Sequence, residues 1–114
     1  MNKILDDIKL NLGAVYSEVT DFDQEIISRI NECIPMLYQL GIGSKPLFSL
    51  TTGNETWEQY INSDYVPLVK KYIAGKVKMT FDPPSSSVIL NSLQNEIREA
   101  EFRLLLIGNK GDDI

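Results

Sequence analysis

The chain has 114 residues, 43% of them apolar and 24% charged, with a formal net charge of −5 and no histidine. This length supports one modest hydrophobic core, and the balance of apolar to charged residues is that of a folded domain rather than a disordered one. An acidic total argues against a dedicated nucleic-acid binder, and the lack of histidine removes Ser-His-Asp and Cys-His catalysis along with imidazole metal ligation.

Met1-Asn2-Lys3 leads into Asp6 and Asp7 rather than an apolar signal core, and no apolar run reaches the roughly eighteen residues of a membrane span. Neither secretion nor membrane insertion is expected. Ile4, Leu5, Ile8 and Leu12 predict a short first helix that Gly13 can end and that persists only when packed against something. A loop is expected from Ala14 to Thr20. Asp21 then suits an N-cap with Gln24 three residues on, a variant of the capping box, ahead of a second helix whose stripe is Ile26, Ile27, Ile30, Ile34, Leu37 and Leu40. Gly41 should close it. Pro35 removes one hydrogen bond inside that helix, but the stripe continues on both sides, so a kink is expected rather than a break, with a hinge as the functional alternative. The lone Cys33 falls on the same apolar face and reads as a small buried residue rather than a reactive thiol. A reducing cytoplasm suits it.

From Ile42 to Asn54 the chain is loop-like, with Gly43, Pro46 and Gly53 among Ser and Thr residues. Leu47, Phe48 and Leu50 interrupt it, either as a short extended segment that adds to a neighbour's edge or as a loop anchored on the core. Gly41-Ile42-Gly43-Ser44-Lys45 lacks the spacing of a phosphate-binding loop. Glu55 to Ile61 reads as a short helix whose Trp57 is a core or interface anchor.

Val66, Val69, Ile73 and Val77 step by three and four, flanked by Tyr65, Tyr72 and Met79, and predict a long helix. Pro67 is tolerable only in a first turn, which places the start near Asp64 or Tyr65, with Asp64 a candidate cap. Gly75 in the interior costs about 1 kcal/mol relative to alanine, a loss that close packing against another helix would offset. Asp82-Pro83-Pro84 forces the chain out of the helix near Phe81, and Ser85, Ser86 or Ser87 can cap the next one. Its apolar residues Ile89, Leu93, Ile97, Ala100 and Leu104 again follow helical spacing, so a stiff helical hairpin is expected. Leu104, Leu105, Leu106 and Ile107 follow Phe102, and four neighbours in a row cannot all face one side. Some meet a partner, or the helix end folds back on its own core. The fold class is therefore all-α: a small bundle of four to five helices in a single domain over residues 1–107, with a long C-terminal hairpin and a flexible tail over 108–114.

Lys70-Lys71-Tyr72-Ile73, the run Lys76-Val77-Lys78-Met79-Thr80-Phe81-Asp82-Pro83-Pro84, and Asn95-Glu96-Ile97-Arg98-Glu99-Ala100-Glu101-Phe102-Arg103-Leu104 resemble the C-terminal part of tailed-phage head-tail connector (adaptor) proteins. The opening, Ile4 to Leu12 followed by Thr20-Asp21-Phe22-Asp23, is loosely similar too. The resemblance implies a structural subunit of a phage or prophage, assembled as a ring under the portal protein. Such a ring extends the DNA channel and docks the next tail-completion or stopper protein, first in the host cytoplasm and then at the virion head-tail junction. It also implies that DNA passes through the lumen without specific binding, and that no cofactor and no catalysis are involved.

Charge supports self-assembly in particular. Residues 1–32 hold seven acids against three bases, whereas residues 64–82 hold four lysines against two acids. Acidic surface of one copy could meet Lys70, Lys71, Lys76 or Lys78 of the next, a heterologous contact of the kind that closes rings; the alternative is a solvated helix face. Candidate interface residues are these lysines, Phe102, Leu105, Leu106 and Ile107 at the helix end, and Phe48 and Leu50 in the loop, with Asp82, Pro83 and Pro84 as the structural turn. Two other functions compete: a small helical regulator that binds one protein through Phe102 to Ile107, and a DNA-packaging accessory that contacts duplex through its lysines.

Overall fold

In the computed structural model, which describes residues 3–43 and 48–109, six α-helices follow one another: α1 (Ile4–Leu12), α2 (Ala14–Ser17), α3 (Asp23–Gln39), α4 (Trp57–Tyr60), α5 (Val66–Phe81) and α6 (Ser87–Asn109). A single 3-10 turn at Ser63–Tyr65 leads into α5, and the described residues form no strand beyond an isolated bridge between Lys3 and Thr56. The all-α bundle and its C-terminal hairpin are as the apolar spacing predicts. α5 is the central element and packs on α6, α3 and α1. Val69, Tyr72, Ile73 and Val77 on it are completely buried, as are Ile4 and Ile8 of α1, Ile26 and Ile30 of α3, and Leu104 of α6.

Helix ends show where local chemistry was and was not decisive. Gly13, at φ 138, ends α1 as expected, but Ala14 to Ser17 forms a helical turn instead of a loop. α3 starts at Asp23 with Phe22 at its cap position, and neither Asp21 nor Gln24 makes the expected capping contacts there. Tertiary contacts replace that cap: Asp23 pairs with Lys9 of α1 at 2.7 Å, and the same ammonium donates to the Val19 carbonyl at 2.8 Å. α3 runs unbroken through Pro35, whose side is exposed. Its C-terminus is a Schellman motif, in which the Gly41 N–H donates to Tyr38 O and the Ile42 N–H to Leu37 O, both at 2.9 Å, with Gly41 at φ 91. Ile42 and Leu37 are both buried, the apolar contact that accompanies this cap.

α5 begins at Val66 with Pro67 in its first turn and ends at Phe81, both as predicted. Asp64 does not cap it; Tyr65 holds the cap position, and Asn62 Oδ1 instead accepts the Asp64 N–H at 3.0 Å. Of the three serines, Ser86 is the one that caps α6, accepting the Ile89 N–H at 3.4 Å. α6 extends through Gly108 and Asn109, which the sequence had placed in the tail. The reason is a backbone contact: a Cβ on Gly108 would lie 1.9 Å from Leu40 O, so only glycine lets the helix end seat on the α3 terminus. Residues 110–114 of the expected tail, and Leu47 in the loop, lie outside the described residues.

The loop before α4 is held by one carboxylate. Glu55 accepts the N–H groups of Thr51, Thr52 and Gly53 at 2.8, 3.2 and 3.0 Å and the Thr51 hydroxyl at 3.0 Å. Its own carbonyl accepts the Ile4 N–H at 3.0 Å and thereby fixes the start of α1. Partial burial acts to raise the Glu55 pKa, but the amide donors outweigh it and hold the carboxyl at about 2. Because the folded pKa is depressed, the stabilisation is fully present above the ordinary carboxylate value near 4.5 and is lost as pH falls toward about 2. Thermal melts between pH 6 and pH 2.5 should therefore show acid destabilisation that is smaller in Glu55→Gln, which lacks the titrating group.

Gly75 is buried at the α5–α6 contact, where a Cβ would meet Ile97 Cγ1 at 2.7 Å. Gly75→Ala gains about 1 kcal/mol of helix propensity but overpacks a stiff β-branched neighbour at about 1–3 kcal/mol. A net loss of stability is expected in denaturant titration; a stabilised variant would contradict the packing account.

Candidate assembly surfaces

The turn that joins the hairpin is tied to the body of the protein at Asp82. Its carboxylate accepts from Tyr16 Oη of α2 and from Lys78 Nζ, each at 3.2 Å. The ring of Tyr16 packs edge to face with Phe22 and Phe81, which also meet edge to face, with ring centroids 5.3 to 5.8 Å apart. The unexpected turn α2 thus has a role. It carries the tyrosine that closes this aromatic cluster, and Pro83 and Pro84 leave the cluster in a fixed direction.

The four lysines of α5 divide among different surroundings. Lys76 Nζ sits 5.7 Å from the Tyr72 ring centroid, Lys70 Nζ lies 3.6 Å from Asp7 Oδ2, and Lys78 is engaged by Asp82. Asp7 also accepts from Trp57 Nε1 at 2.7 Å, which makes Trp57 a core anchor between α1 and α4. Lys71 is exposed and has no ion-pair partner among the described residues. Lys70, Lys71 and Lys78 border a groove of about 380 Å³ between α5 and α6, with Ala74, Gly75 and Ile97 in its floor and Glu96 on the α6 side. Past Lys78 and Leu93 it continues into a second hollow of about 350 Å³ beside Pro84, Val88 and Ile89.

That second hollow exposes apolar side chains the spacing had assigned differently. Ile89, expected in the buried stripe, is 58% exposed, and Val88 beside it is 76% exposed. The core ends at Leu93, so the first turns of α6 overhang the bundle. Residues 83–95 contain no charged side chain, a signal in the sequence that could have marked this tip.

At the other end of α6 the apolar run divides as the geometry of a helix requires. Leu104 is completely buried and Ile107 packs against the core, while Phe102, Leu105 and Leu106 are 60, 38 and 47% exposed. Of the loop candidates, Leu50 is a core residue with no surface to offer. Its N–H donates to Asn31 Oδ1 at 2.8 Å, and Asn31 Nδ2 donates to its carbonyl at 2.9 Å, so the loop is anchored rather than free to extend a sheet. Phe48 is half-buried and stacks on Tyr60 with centroids 4.7 Å apart.

A family model described as phage connector protein matches residues 4–111. The chain belongs to the phage connector protein family. No curated protein and no solved structure matches it. The match spans all six helices, so the hairpin, the lysine-bordered groove and the exposed end of α6 all lie within the matched region.

Cys33 is buried, and that burial pushes its thiol up to about 12, so it packs as an apolar residue. Neighbouring residues on α6 should respond oppositely to truncation. Leu104→Ala should cost about 2–5 kcal/mol as a core deletion, while Phe102→Ala should stay within about 0.5–1 kcal/mol of the parent. Paired urea titrations measure both.

Proposed function

We propose that this connector assembles as a ring at the head-tail junction of a tailed phage or prophage, seated under the portal. There it extends the DNA channel and presents a docking face to the next tail-completion or stopper protein. The family match over residues 4–111 is the observation that supports this most. The work is mechanical rather than catalytic, carried by a compact body of 38 × 34 × 20 Å with a stiff hairpin. Phe102, Leu105 and Leu106 form an apolar surface of the kind a portal or an adjacent subunit would bury.

Duplex DNA fits this reading as a passenger. The chain carries net charge −5, and Lys70 and Lys78 already face carboxylates, so a lumen built from such subunits would repel phosphate more than hold it. Assembly would take place in the host cytoplasm, with the virion as the final location. No described helix is long and apolar enough to cross a membrane.

Purified protein, alone and mixed with the portal protein of its own phage, should give a ring in negative-stain electron microscopy and co-sediment with the portal. A species that stays monomeric and ignores the portal would point to a helical regulator. A duplex gel shift at physiological salt would point to a packaging accessory.

A further inference from the structure

The lysine-bordered groove and the outer face of α3 carry charges of opposite sign at the same repeat. On α5, Lys71 and Lys78 are seven residues apart on the side that borders the groove. On α3, Glu25 and Glu32 are also seven apart, with side chains 54 and 60% exposed, and they lie opposite the buried stripe of Ile26, Ile30 and Leu37. Seven residues of helix rise about 10.5 Å, so the two pairs match in length when the helices lie alongside. Between the lysines the groove is lined by the small side chain of Ala74 and by Ile97, which packs over Gly75, with Glu96 the one carboxylate among its lining residues.

We infer that the groove between α5 and α6 receives α3 of a second copy, with Glu25 and Glu32 of one subunit paired to Lys71 and Lys78 of the next. This rests on the ring reading and names its subunit contact. The acidic pair is available. Among the described residues each glutamate pairs with Arg29 alone, at 3.8 Å, a distance at which an exposed pair contributes little. Lys71 has no ion pair of its own among the described residues, and Lys78 can bridge Asp82 and an incoming carboxylate because an ammonium has three donors. Groove and α3 face are different surfaces of one subunit. The contact is therefore heterologous, and repetition gives a ring or an open helix according to its rotation.

Charge reversal tests the pairing. Lys71→Glu should weaken self-association about tenfold or more, measured by light scattering and sedimentation, since like charges then face one another. Glu32→Lys added to it should restore assembly if the helices run antiparallel, and Glu25→Lys if they run parallel. Zero-length carbodiimide crosslinking of mixed isotope-labelled and unlabelled parent protein should join α3 of one copy to α5 of another. Circular dichroism melts check that each variant is folded, and the crosslink on the parent chain needs no variant at all. A ring that forms normally with Lys71→Glu and yields no such crosslink would overturn the pairing and leave the ring reading standing. A parent chain that never self-associates, even with the portal, would remove both. Loss of duplex binding in Lys71→Glu with assembly unchanged would assign the groove to nucleic acid instead.

Discussion

The close approach of α5 to α6 at Gly75 is the contact on which the other surfaces depend. Ile97 lies where a side chain at this position would have to sit, so the two helices meet almost backbone to side chain. That approach buries Ile97, Ala100 and Leu104 and places Lys71 and Lys78 at the edge of a groove instead of on an isolated helix. A bulkier residue would have to push Ile97 aside or part the two helices.

Around this contact, polar pins fix the remaining elements in place. Lys9 with Asp23 joins α1 to α3, Asp7 with Trp57 and Lys70 joins α1 to α4 and α5, and Asp82 with Tyr16 joins the turn to α2. Partly buried ion pairs add little net stability, but each is costly to strip of one partner, and so they select one arrangement among those an apolar core would tolerate. In the ring proposed above, a single arrangement would matter, because a small angular error repeated from copy to copy prevents closure.

Most helices were legible from apolar spacing, since burial of one face is a local pattern with a known repeat. The start of α5 at Pro67 and its end before Pro83 were legible for a stronger reason, the fixed backbone angle of proline. Termini decided by distant partners were not. Asp21 and Asp64 had the chemistry of caps, yet Asp23 was drawn to Lys9 and the start of α5 is led by a 3-10 turn. Glu55 gave no local sign that its carboxylate would collect three amide N–H groups, and the α2 turn is supported by an aromatic cluster assembled from three separate segments. Leu50, a candidate interface residue, proved to be core, and Ile89, expected in the buried stripe of the last helix, proved to be exposed, because neither position could be assigned before the core boundary was known.

Legible in the residues alone were the all-α class, the paired helices with a proline-fixed turn between them, the place of Cys33 on an apolar face and the uneven distribution of charge. All of these follow from covalent geometry, from periodicity or from local composition along the chain. The tertiary structure decided which lysines remain available, where the core stops along α6, and that the acidic pair on α3 and the basic pair on α5 occupy separate exposed surfaces. Those outcomes depend on which helices lie side by side, and a charge's availability is set by neighbours that are remote in the chain.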